Sequence, residues 1–153
     1  MKLKLLPVFL YAFLIVSCQA QWGNAESNSA EEVADSFAVY YFNWQFDKAA
    51  KFVTENSMVW LRYAASQVHQ ADIDILREKC DSRVKVEDVE LDDYGYATVT
   101  VTDFLRMDTI GTEGHLVKEA RFKIPLEQSA ENGKRRWKVK MEGLPQSEKR
   151  NRD

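Results

Sequence analysis

The sequence predicts an α+β domain in which N-terminal helices pack on an antiparallel sheet of at least four strands. Three observations predict it. Apolar residues recur at three-to-four spacing through Val33, Phe37, Tyr40, Tyr41 and Trp44, the period of one helix face. After Asp81 the period falls to two, first at Val84 and Val86, then at Ala97, Val99 and Val101, then at Ala120, Phe122, Ile124 and Leu126, as half-buried strands require. Turn chemistry separates these runs. Asp92-Asp93-Tyr94-Gly95 follows the first, and Glu131-Asn132-Gly133-Lys134 follows the last with an Asn-Gly pair, whose tolerance of positive φ suits a tight hairpin.

The chain has 153 residues, 45% hydrophobic and 29% charged, which fits one ordinary domain. Two lysines within residues 1–4, an apolar run over residues 5–16 broken only by Pro7, and then Ser17 make a secretory signal peptide over residues 1–17. The run is too short to span a bilayer, which takes about 20 apolar residues. Residues 19–28 are polar and aperiodic and read as a flexible tether with a span of about 17 Å. Trp22 within it has two readings, a side chain dipping into a membrane interface or a plain exposed aromatic. The domain is expected over residues 29–145, with residues 146–153 as a charged, disordered tail.

Within the domain, Ser29-Ala30-Glu31-Glu32 is a capping box that starts the first helix. Asp47 is expected to cap a second short helix over residues 48–53, burying Ala49, Ala50, Phe52 and Val53. Residues 54–80 read as mostly helical, with a break near His69 to Asp72. Met58, Trp60, Leu61, Tyr63, Ala64 and Val68 are the contact positions before the break, and Ile73, Ile75, Leu76 and Cys80 those after it. The first hairpin pairs a strand carrying Val84, Val86, Val89 and Leu91 with one carrying Ala97 to Thr102. A loop over residues 108–114 contains two glycines, and alternation resumes over residues 115–128. Pro125 has no N–H and is expected at an edge or a bulge. The closing strand carries Trp137, Val139 and Met141 and is expected to end near Glu142.

Two resemblances add to this reading. Leu14-Ile15-Val16-Ser17-Cys18 resembles the bacterial lipobox. The resemblance implies that Cys18 is lipidated on sulfur and becomes the first residue, so that residues 18–28 are a lipid-bearing tether. Two or more acyl chains anchor stably at about 0.8 kcal/mol per buried methylene. The full chain carries a net charge of −3, and loss of Lys2 and Lys4 makes it more negative, so the acyl chains alone would hold the membrane. The second likeness spans nearly all of the mature chain. Ala30-Glu31-Glu32-Val33-Ala34-Asp35-Ser36-Phe37, Phe46-Asp47-Lys48-Ala49-Ala50 and Trp137-Lys138-Val139 resemble small cell-envelope members of the nuclear-transport-factor-2-like, or cystatin-like, superfamily, particularly lipoprotein-borne domains of unknown function in Bacteroidetes. This resemblance implies a cone, a curved sheet wrapped around helices with a cavity at its open end, and sheets that can pair into a homodimer. The superfamily includes isomerases, dehydratases and binding modules, so fold alone does not settle function.

Net charge −3 excludes a sequence-independent nucleic-acid binder, which needs a concentrated basic surface. Nucleotide and nucleophile motifs are absent, and no cofactor is expected. His69, His115 and Cys80 are too few for a zinc site, and no metal is expected. With Cys18 acylated, Cys80 is a lone thiol, expected to be packed and inert. Enzymes of the resembled superfamily use an Asp, His or Tyr projecting into the cone. Here that points to Asp103, which interrupts a Val/Thr-rich strand, and His115 at a strand start, since a carboxylate among apolar neighbours becomes a base. The plainer expectation for Asp103 is a solvent-facing strand end. Phe37, Tyr41, Trp44, Trp60 and Tyr63 either pack the core or line a cavity for a small apolar or planar ligand. A partner protein would meet the outer face bearing Thr98, Thr100, Arg121, Lys123, Lys138 and Lys140, or a free strand edge. The expectation is a lipid-anchored envelope protein that binds a small ligand or a protein partner without catalysis. The alternative is an isomerase- or dehydratase-like enzyme with an acid–base residue in the cone.

Overall fold

Ser29 begins the first helix as its sequence requires: Glu32 N donates to Ser29 Oγ at 3.2 Å and Ser29 N to Glu32 Oε2 at 3.0 Å, so two amides that would be orphaned at a helix start are satisfied. The computed structural model describes residues 29–92, 95–107 and 114–148; the expected signal peptide, Cys18 and the tether lie outside them. The elements are α1 (Ala30–Phe42), α2 (Phe46–Ala49), α3 (Met58–Ser66), α4 (Gln70–Glu78), β1 (Arg83–Glu90), β2 (Gly95–Arg106), β3 (His115–Glu131) and β4 (Lys134–Val139), with 3₁₀ turns at Ala50–Phe52 and Glu55–Ser57. The strands form one open antiparallel meander in the order β1-β2-β3-β4, and α1 lies across all four. The α+β class, with helices packed on a four-stranded sheet, is as the sequence predicts.

The core lies between α1 and the sheet. Phe42, Phe104 and Phe122 form its centre, with ring centroids 4.5 Å apart for Phe42–Phe122, 5.3 Å for Phe42–Phe104 and 5.6 Å for Phe104–Phe122. Val33, Phe37, Val99, Val101 and Ile124 close around them, all buried.

The sheet bends at two places. Register along β1 shifts between Val86 and Asp88, a bulge at Glu87 that explains why the apolar positions run Val84, Val86, Val89 rather than in strict alternation. Farther along, Ala97, Val99 and Val101 face the core on β2 and then Phe104 does. Opposite, the sequence is Phe122, Ala120 and then Val117. Thr102↔Glu119 and Phe104↔Val117 keep the same register on either side, so both strands reverse facing at Asp103 and Lys118. Asp103 makes the reversal at φ 55°, in the left-handed region that Asp tolerates better than most residues.

Several boundaries differ from expectation. The second helix begins at Phe46, so Asp47 sits in its first turn and caps nothing, and the helix tightens into a 3₁₀ turn at Ala50. Its start is set by the close of α1, because Gln45 O accepts from both Lys48 N and Ala49 N. The break between α3 and α4 falls at residues 67–69, which places Asp72 inside α4 and buries it. Pro125 is in β3, a central strand. It is tolerated because β4 leaves there: pairing ends at Leu126↔Val139, and Lys140 N donates to Pro125 O at 2.9 Å on the side where the proline lacks an N–H. The closing strand therefore ends at Val139, short of Glu142, while Met141 is still buried and donates its N–H to Ser57 Oγ at 2.7 Å. The tail expected from Gln146 stays on the sheet to Glu148. Ser147 bridges Phe122, and Glu148 N donates to Arg121 O at 2.8 Å. Thr98, assigned to the outer face, is buried. Among the described residues no helix is long and apolar enough to cross a membrane.

Candidate functional site

α1 closes in a Schellman motif. Trp44 N donates to Tyr41 O at 3.0 Å and Gln45 N to Tyr40 O at 2.8 Å, which satisfies two of the helix's last carbonyls. The residue after the cap must be left-handed and is usually Gly; here it is Trp44, at φ 58°. For an L-residue this conformation costs about 1–2 kcal/mol. The indole offsets part of that cost by donating Nε1 to Leu105 O at 3.0 Å and packing 6.1 Å from the Phe46 ring. Backbone strain held by its surroundings clusters at functional positions, which makes the neighbourhood of Trp44 the place to look.

A cleft of about 60 Å³ opens there. Tyr41, Trp44 and Phe46 wall one side, Leu105 and Met107 at the end of β2 another, and Leu144 a third. The Tyr41 ring stacks on Phe37 at 5.4 Å and meets Phe42 and Phe46 edge-on at 5.2 and 5.5 Å. Its hydroxyl has no hydrogen-bond partner among the described residues. Burial pushes the phenol above its ordinary value, because the anion would lose hydration, so the group is a protonated donor at neutral pH. Arg106 and Gln146 complete the lining, which contains no carboxylate, imidazole or thiol.

No protein-family model, characterised protein or solved structure matches the chain.

Of the residues singled out from the sequence, Tyr41 and Trp44 meet in the cleft. Phe37 lies behind Tyr41, fully buried, and borders a second groove of about 230 Å³ beneath residues 141–146. Trp60 and Tyr63 pair edge-on at 6.3 Å on α3 and line neither opening. Asp103 stands in mid-strand at the sheet's reversal, not at a strand end. Its carboxylate pairs with Arg83 at 2.8 Å with the two side chains 54% and 77% exposed, and its carbonyl accepts from Ser82 Oγ. That is the work of a corner residue in solvent, outside the apolar setting that would make it a base. His115 is exposed at the start of β3. Cys80 was expected to be packed and is exposed, because α4 ends at Glu78 and the chain leaves it extended at Lys79. Cys18 lies outside the described residues. Among those residues no group of three or more His, Cys, Asp or Glu side chains could hold a metal.

Asp72, expected at the break near His69 to Asp72, lies inside α4. It is fully buried, and its two oxygens accept from His69 N at 2.8 Å and Gly114 N at 2.7 Å, fastening α4 to the start of β3. Gly114 is required at this point, since a Cβ would stand 2.9 Å from Leu105 Cγ and 3.0 Å from Arg106 O. Leu144 and Pro145 were also missed; an apolar pair after the last strand is the signal that could have found them.

Proposed function

We propose that this protein is a lipid-anchored cell-envelope binding protein, held by acyl chains on Cys18, with a cystatin-like domain that takes its ligand at the Tyr41–Trp44 cleft and performs no chemistry on it. The cleft carries the reading. It has an aromatic wall, polar groups from Tyr41, Arg106 and Gln146, and a strained tryptophan at its edge, the makeup of a recognition site. Nothing among its lining residues exchanges a proton near neutral pH, and the two acid–base candidates stand elsewhere. The lipobox-like segment supplies the anchor, and the polar tether would keep the domain within about 17 Å of the bilayer.

Mass spectrometry of the protein extracted in detergent from a bacterial envelope tests both halves. Acyl mass on an N-terminal Cys18 and a co-purifying ligand or partner are expected, and the Cys18→Ser variant is expected to lose detergent-phase partitioning. Unchanged processing and partitioning in that variant would remove the anchor from the proposal. Catalytic turnover lost on changing Tyr41 would replace binding with catalysis.

A further inference from the structure

The sheet has two edges, and they are unlike. β4 is partly covered: Val139 bridges Val53 in parallel, Thr54 N donates to Val139 O at 3.0 Å, and Lys138 Nζ donates to Lys51 O at 2.9 Å. β1 is the other edge, and among the described residues no strand pairs with its outer side. A row of backbone N–H and C=O groups is left there, which charged side chains commonly keep from pairing at random. On β1 those charges are sorted. Arg83 and Lys85 fill its first half and Glu87, Asp88 and Glu90 its second, and all five are exposed.

The bulge at Glu87 sets which face each charge takes. Ahead of it, Arg83 and Lys85 stand opposite Thr102 and Thr100; behind it, Asp88 and Glu90 stand opposite Thr98 and Tyr96. Val84, Val86 and Val89 stand opposite Val101, Val99 and Ala97, on the face that packs against the core. Without the extra residue, positions 85 and 88 would point to opposite faces; with it, Arg83, Lys85, Asp88 and Glu90 share the face away from α1. From this arrangement we infer that β1 is a self-pairing edge: a second copy of this chain adds its own β1 antiparallel, about a two-fold axis between residues 86 and 87, joining two four-stranded sheets into one. Arg83 then meets Glu90 of the second copy, Lys85 meets Asp88, and Val84 meets Val89, each pair on one face. At the axis each strand contributes the same Val86-Glu87 step, so the bulge does not break the register. A parallel copy in register would set like charges against each other instead. Within one chain Arg83 pairs with Asp103 at 2.8 Å and Lys85 with Glu87 at 3.2 Å, and Glu90 accepts from the Tyr96 hydroxyl. The two ion pairs are exposed and contribute little in water, so they do not hold these charges back from a second partner. Eight residues of edge make a small interface beside the roughly 1,200–2,000 Å² of a stable complex, and the dimer is therefore weak and reversible. This surface is separate from the cleft, and the inference stands without it.

Charge reversal reads the register. The full-length protein is kept in excess detergent micelles, with Cys80 reduced, and its association is measured by sedimentation equilibrium at matched solvent density. The native protein is expected to dimerise reversibly. Lys85→Glu sets two carboxylates against each other at both Lys85–Asp88 contacts, and Asp88→Lys sets two ammonium groups against each other there. Each is expected to weaken association about tenfold. An equimolar mixture of the two variants is expected to recover the native affinity, because one contact then joins the two new charges, which are opposite, and the other keeps the native pair. Both side chains are exposed, and thermal unfolding followed by circular dichroism checks that each variant folds as the native chain does. The same series in a Cys18→Ser background separates strand pairing from clustering of acyl chains. A native chain that stays monomeric up to about 1 mM, a single variant that associates as strongly as the native chain, or a mixture no stronger than its components overturns the inference.

Discussion

Replacing Trp44 by Gly and by Ala separates backbone strain from side-chain contact at the cleft. Both variants lose the same indole: its hydrogen bond to Leu105 O, worth about 0.5–1.5 kcal/mol, and its half-buried packing on Phe46, worth about 1 kcal/mol as a fraction of full aromatic burial. They differ in what the φ of 58° demands. Alanine keeps the left-handed strain and glycine relieves it. Trp44→Ala should therefore lose about 2 kcal/mol, and Trp44→Gly should be the more stable of the two by about 1 kcal/mol, although glycine is the more flexible chain when unfolded. Urea denaturation followed by circular dichroism measures the difference, provided the slopes of the two curves agree. Alanine as stable as glycine would show that position 44 carries no strain. The indole would then sit at this rim at no cost in backbone energy.

Other outcomes follow from the same structure. Asp72→Ala leaves the part-buried Gly114 amide without its acceptor and should cost about 1–3 kcal/mol; because Asp72 is the one buried residue of α4, amide exchange should accelerate in α4 and at Gly114 while α1 keeps its protection. Asp103→Asn keeps a residue suited to positive φ and removes an exposed ion pair, so thermal unfolding should show a change below about 1 kcal/mol, and a loss above 2 would contradict the solvent-facing corner. Phe122→Ala removes the ring in contact with both Phe42 and Phe104 and should cost about 3–5 kcal/mol in chemical denaturation. Burial raises the Tyr41 phenol, so the folded state holds that proton more tightly than the unfolded chain. Its contribution is complete below pH 10 and declines as pH rises further, and stability measured across that range should fall less steeply in Tyr41→Phe than in the native protein.

How much of this was legible in the sequence depended on whether a residue's partners were local. The capping box at Ser29, the alternation through Val99 and Val101 and the Asn-Gly turn are set by neighbours within four positions, and each appears where the pattern puts it. Pro125 was misplaced because its tolerance depends on where β4 departs, a fact about residues 139 and 140. Asp72 was misjudged because its acceptor role is completed by Gly114, 42 positions away. The site divides the same way. Tyr41 and Trp44 were visible as a helical stripe, whereas Leu105, Met107 and Leu144 reach the cleft through sheet pairing and the return of residues 140–148 over the sheet, neither of which leaves a local mark.

Asp103 shows why an anomalous residue in a strand need not be chemical. A carboxylate among valines and threonines suggests catalysis if the strand is straight, because alternation then decides which face it takes. Here both β2 and β3 reverse facing at this level, and the residue at the reversal must accept positive φ and cannot be apolar, since it is turned to water. Asp satisfies both demands, and Arg83 across the β1 edge is its natural partner. The same reversal brings Phe104 inward against Phe42 and Phe122 and leaves the carbonyl of Leu105 for the Trp44 indole. Asp103 acts on the site only through the bend, which sets the rim where the Trp44 indole meets Leu105 O.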